Sequence, residues 1–168
     1  MDDKKKMLRE MTCCFTGHRL LEGSERLYLS GKLRDTVEEL IASGVRYFGA
    51  GGALGFDTMA AQTVLFLKRD YPDIRLILVL PCEEQADKWS EGDRQVYEAI
   101  KEQADKVRYI SKEYTRDCML RRNRHLVDNS GVCVCYLRKK QGGTAYTVDY
   151  ARRQGVPVIN LAPNTTRS

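Results

Sequence analysis

The chain has no apolar run approaching the roughly 18 residues needed to span a bilayer, and its mean hydropathy of −0.48 excludes a transmembrane helix. Histidine is scarce, with two residues in 168. Cys133 and Cys135 share a strand face, but no second cysteine or histidine pair completes a zinc-like spacing, so no metal is expected. With a single tryptophan there is no stripe of aromatics interleaved with basic residues, which counts against extended single-stranded nucleic acid as the first choice of partner. Neither G-x-G-x-x-G nor a Walker motif occurs, so the ordinary fingerprints of NAD binding and ATP hydrolysis are missing. The N-terminus carries charges but no apolar stretch ahead of a small-residue cleavage site, and a cytoplasmic location is expected. No repeat, linker or low-complexity segment divides the chain. It reads as one domain over 1–168, with flexible ends at 1–10 and 164–168.

What is present is the composition of a soluble globular domain, 42% hydrophobic and 30% charged. A domain of this size hides roughly 70% of its unfolded surface, enough for a core without disulfide or metal support. Four of the six cysteines, Cys13, Cys14, Cys133 and Cys135, fall in apolar or β-branched stretches and read as small buried hydrophobes. The net charge of +5 suits anionic ligands. Arg116, Arg121, Arg122, Arg124 and His125 are packed together and Arg138, Lys139 and Lys140 follow, so the basic charge is local.

Apolar runs of strand length recur at 12–16, 45–50, 74–80, 107–110, 132–137 and 156–161. Helical spacing fills 25–42, 57–68, 93–104, 116–129 and 145–154. Near-continuous apolar strands alternating with helices predict an α/β fold, a Rossmann-like three-layer α/β/α sandwich with a mainly parallel sheet. Ligands in such sheets bind beyond the carboxyl ends of the strands, where the strand order reverses.

The loops that follow the strands carry the candidate chemistry. After the first strand, Thr16, Gly17 and Arg19 offer a hydroxyl, close backbone approach and a fork of donors for an anion, or else form a turn with a solvated arginine. After the second, Gly51, Gly52 and Gly55 precede a helix whose free amides attract phosphate. Asp57 either stabilises that helix start or accepts from a ribose. Trp89 follows the third strand, as a packing residue or a platform for a base. The run from Arg121 to His125 is either a solvated helix face or a phosphate site. Gly142, Gly143 and Thr144 form a second glycine-rich loop before a helix. Two such loops together with an arginine cluster argue for a nucleotide-like anion.

Taken together, Cys14 to Arg19, Gly51 to Asp57, Gln85 with Lys88 and Trp89, Arg122 to Arg124 and Gly142 to Ala151 resemble the SLOG superfamily, most closely its YpsA-like bacterial branch. That superfamily unites the Rossmann-like core of DNA-processing protein A with the LOG phosphoribohydrolases. The resemblance spans nearly the whole chain. It implies a sensor or regulator that binds a nucleotide derivative, of ADP-ribose type, with Gln85, Arg122 and Arg124 joining the ligand-binding set. No further cofactor is required, and self-association is implied.

The LOG enzymes imply an alternative, cleavage of a base from a nucleoside monophosphate. Arg122 would then orient phosphate and Asp149 would stabilise an oxocarbenium-like ribose. Here Ala145 replaces the third loop glycine of those enzymes, and Asp149 stands where they carry glutamate. Single-stranded DNA binding, implied by the DNA-processing branch, is the third reading. No membrane insertion is expected.

Overall fold

The computed structural model describes residues 2–163. The six strands are β1 (Thr12–Gly17), β2 (Tyr47–Ala50), β3 (Arg75–Leu80), β4 (Lys106–Tyr109), β5 (Val132–Tyr136) and β6 (Val158–Asn160). The six helices are α1 (Asp3–Glu10), α2 (Gly23–Ala42), α3 (Phe56–Leu67), α4 (Glu91–Gln103), α5 (Cys118–Asp128) and α6 (Gly143–Arg153). Every strand pair is parallel and the order across the sheet is β4-β3-β2-β1-β5-β6. The three-layer α/β/α reading holds.

Alternation along the strands sorts side chains onto two faces. Cys13 and Phe15 of β1 join a core cluster with Leu29, Leu33, Phe56, Val64 and Tyr97 from α2, α3 and α4. Cys14, between them, joins Leu126 and Val127 of α5 and Ala151 of α6 on the other face. This split follows from handedness. Successive right-handed crossovers from β1 to β4 place their helices on one face, and when the chain returns to β1 and builds in the opposite direction, its helices must cover the other. All six cysteines are free and buried.

Residues 3–10, expected to be a flexible end, form α1. The charged side chains there are good helix formers, and Asp2 caps the start by accepting from Lys4 N at 3.0 Å. Its last turn lies against Gly131, just before β5, at the amino edge of the sheet. The other end of the chain, 164–168, lies outside the described residues.

Candidate functional site

The strand order reverses at β1, which has β2 on one side and β5 on the other. Beyond the carboxyl ends of β1 and β5 opens a cavity of about 680 Å³. It is lined by the β1–α2 loop from Thr16 to Leu20, the start of α3 (Ala53, Leu54, Asp57), the first turns of α5, and the β5–α6 loop with Gly142, Gly143 and Thr144. Three helices therefore begin at its wall.

Their ends differ from those of the other helices. Away from the cavity, α1 is capped by Asp2 and α4 by Ser90, whose Oγ accepts from Asp93 N at 3.2 Å. In α2, Glu25 Oε1 accepts from Glu22 N at 2.9 Å. Facing the cavity, α3 starts at Gly55, α5 at Asp117 and α6 at Gly142, none with a side-chain cap. The first amide of α3 is taken by His18 O at 3.0 Å. In α6 the first backbone bond is Tyr146 N to Gly142 O, so the amides before it have no intrahelical partner. Unfilled amides and the helix dipole together attract an anion.

Arg122 and Asp57 form the inner wall, 5% and 6% exposed. Arg122 Nη1 donates to Gly51 O and Nε donates to Asn123 Oδ1 at 2.6 Å. A Cβ on residue 51 would stand 2.7 Å from Nη1, so only glycine admits this guanidinium. Asp57 Oδ2 accepts from Ala53 N at 3.3 Å, whereas Oδ1 is buried without a partner among the described residues. Burial pushes the Asp57 carboxyl up to about 6 against the opposing pull of Arg122. The same desolvation lowers the pKa of Arg122.

A second network ties the two loops at the switch point. Arg138 N donates to His18 Nε2 at 2.9 Å. Burial, and then the positive charges of Arg138 and Lys139, lower the His18 pKa and favour its neutral, accepting form. The Arg138 guanidinium pairs with Glu25 at 2.6 Å, and Glu25 also accepts from Tyr136 OH at 2.6 Å. Arg138 and Lys139 consequently stand at the cavity rim. A second cavity of about 560 Å³, lined by Arg19, Leu21, Glu22, Glu25, Arg26 and Arg138, adjoins it.

Of the residues singled out from sequence, the cavity gathers Thr16, Gly17, Arg19, Asp57, Arg122, Gly142, Gly143 and Thr144. Gly51 supports it from behind through its carbonyl. Gly55 is the α3 N-cap, with φ +76°, and a Cβ there would meet Arg19 O at 2.3 Å. Gly52 packs beside Leu80, Gln85 and Tyr97 rather than on the cavity.

Gln85 Nε2 donates to Tyr97 OH at 3.3 Å, and half-buried Trp89 meets the Tyr97 ring edge-on at 5.1 Å. Both therefore belong to a packing cluster above β3. Arg124 lies about 200° around α5 from Arg122 and is half-buried, close enough to α6 to act on Tyr150. Asp149 is exposed on α6 and pairs with Arg153 at 3.1 Å, away from the cavity. Its proposed role beside a ribose has no geometric basis.

Sequence reasoning left Glu25, Tyr136, Arg138 and Lys139 out of the site, and took His18 and Asn123 only as parts of the family motifs. Arg138 and Lys139 do follow the strand that pairs with β1, a signal legible only once the sheet order is known. Among the described residues no helix is long and apolar enough to cross a membrane, and no group of His, Cys, Asp or Glu is arranged to hold a metal ion.

Comparison with known proteins finds a family model, related sequences and solved structures similar to this chain. A family model described as the YspA SLOG family matches residues 16–156. The chain is 35% identical over 130 residues to UPF0398 protein BH1768 of Halalkalibacterium halodurans, covering 76% of this chain and 69% of that protein. It is 29% identical over 126 residues to a UPF0398 protein of Bacillus thuringiensis, covering 73% and 68%. Among solved structures, DNA processing protein A of Helicobacter pylori, described for its single-stranded DNA binding mode, superposes with a TM-score of 0.68 at 19% identity. That match covers 99% of this chain and 72% of the other. The Streptococcus pneumoniae protein of the same name gives 0.67 at 16% identity, with this chain spanning 53% of its length. These structural likenesses concern the fold.

Proposed function

The chain belongs to the YspA SLOG family, and from that premise we propose that it binds a phosphate-bearing nucleotide derivative, of ADP-ribose type, and acts as a sensor or regulator. The observation that carries this reading is the sorting of helix caps. Among the described residues the three helices that start at the cavity lack side-chain caps, and α6 keeps its first amides open, whereas α1 and α4 are capped by Asp2 and Ser90 and α2 by the Glu22–Glu25 capping box. Phosphate would rest on the amides of Gly143 and Thr144, with Arg19, Arg138 and Lys139 supplying charge from the rim. The unpartnered Asp57 oxygen is a second, independent sign of a polar ligand. Six free cysteines suit a reducing, cytoplasmic setting.

The test is binding and turnover in one experiment. The purified protein is incubated with AMP, ADP-ribose and NAD, thermal shifts are followed, and the same samples are analysed for released base. A shift without product supports the sensor. Arg19→Ala should weaken binding by on the order of tenfold. Released base would instead establish a hydrolase. Asp57, the one carboxylate among the described residues lining the cavity, would then replace Asp149 as the group to test.

A second reading is single-stranded DNA, supported by the fold shared with DNA processing protein A and by the cationic rim of Arg19, Arg138 and Lys139. A strand that displaces several counterions loses affinity steeply with salt, whereas one small nucleotide does so only shallowly.

A further inference from the structure

Two buried groups of opposite charge line the same cavity without pairing. Arg122 spends Nη1 on Gly51 O and Nε on Asn123 Oδ1, and its Nη2 has no hydrogen bond among the described residues. Asp57 spends Oδ2 on Ala53 N, the Gly51 amide also acts on the carboxylate, and Oδ1 is the one buried side-chain oxygen or nitrogen that makes no hydrogen bond among the described residues. No ion pair joins them among the described residues. An acceptor shut away from water without a partner keeps its desolvation penalty uncompensated, so a native site that retains one calls for a ligand to complete it.

What completes it must offer a proton to a carboxylate and a lone pair to a guanidinium. A phosphate oxygen has no proton to give and would be repelled by Asp57. An ammonium has no lone pair and would be repelled by Arg122. A hydroxyl does both from a single atom, where an amide or a base edge needs two. We propose that Asp57 and Arg122 together hold a sugar hydroxyl of the ligand, donating to Asp57 Oδ1 and accepting from Arg122 Nη2, and that the protein is thereby selective for ribonucleotides over deoxyribonucleotides.

This rests on the nucleotide reading above and names the ligand class within it. It agrees with the electrostatics, since burial destabilises the Asp57 carboxylate and a hydroxyl donor would restore part of the lost solvation. The inference also separates the two readings of the fold, because DNA lacks one of the hydroxyls through which a ribose would be recognised.

The experiment is calorimetric titration of the wild-type chain with AMP, 2′-deoxy-AMP and 3′-deoxy-AMP, followed by the same series on Asp57→Ala. Removing the recognised hydroxyl should weaken wild-type binding by on the order of tenfold or more. In Asp57→Ala the difference between AMP and that analogue should shrink to about threefold or less. The wild-type series decides by itself if the variant does not fold. Equal affinity for AMP and both deoxy analogues, or binding of ADP-ribose or NAD without binding of AMP, overturns the inference and leaves the nucleotide reading standing. Failure of AMP, ADP-ribose and NAD alike to bind overturns that reading, and the inference with it.

Discussion

His18 Nε2 accepts a hydrogen bond from the backbone amide of Arg138 at 2.9 Å, joining the loop after β1 to the loop after β5 across the point where the strand order reverses. The bond exists only while that nitrogen is unprotonated. Because the folded protein holds the His18 pKa below 6.5, the unfolded chain binds the proton more readily. This contribution to stability is fully present above 6.5 and is lost as pH falls toward the folded value. Thermal melts between pH 7.5 and 5 should show wild type losing stability relative to His18→Gln, whose amide oxygen accepts at every pH. Parallel curves would remove His18 from the loop tie.

Asp57 works in the opposite direction. Its folded pKa of about 6 lies above the ordinary 3.8, so the folded state binds the proton more tightly and stability falls as pH rises from 4 to 6. A shift of this size corresponds to about 3 kcal/mol. Denaturation of wild type and Asp57→Asn across that range should show the wild type losing up to this amount relative to the variant. A constant difference would mean that Asp57 titrates normally.

Gly51→Ala tests the seat of Arg122. The added Cβ would stand 2.7 Å from Nη1 and displace the guanidinium from the Gly51 carbonyl. Overpacking of this kind costs about 1 to 3 kcal/mol, and nucleotide affinity should fall with it. Unfolding midpoints and a titration with ADP-ribose measure the two effects on one sample. Unchanged affinity at lowered stability would confine Arg122 to structure.

Trp89 and Asp149 lie outside the cavity, and each is expected to leave binding alone. Trp89→Phe keeps an aromatic ring against Tyr97 and should cost under about 1.5 kcal/mol of stability. Asp149→Asn breaks an exposed pair with Arg153 and should cost about 1 kcal/mol or less. A drop of tenfold or more in nucleotide affinity for either variant would move the site.

Much of this was legible in the sequence because the strands, buried on both faces, are continuous apolar runs. Leu76 to Leu80 needs no alternation to be recognised, and the helices between strands carry their own period. The switch point was not legible, since no local pattern states that β5 returns to pair with β1. For that reason Arg138 and Lys139 read as a charge run rather than as the rim of a cavity. Helix phase decided the arginine cluster: Arg122 is buried facing Gly51, while Arg121 pairs with Asp117 at the surface. Glycine had two meanings that composition cannot separate, an open helix start at Gly142 and Gly143, and close packing at Gly51 and Gly52.

The most direct test of the central claim is a two-dimensional NMR titration of the ¹⁵N-labelled chain with ADP-ribose. Saturable shifts concentrated on the amides of Gly143, Thr144 and Ala145, together with the Arg122 side-chain signals, are the predicted result. Shifts centred on Trp89 and Gln85, or none at millimolar ligand, would contradict a nucleotide site at the uncapped helix ends.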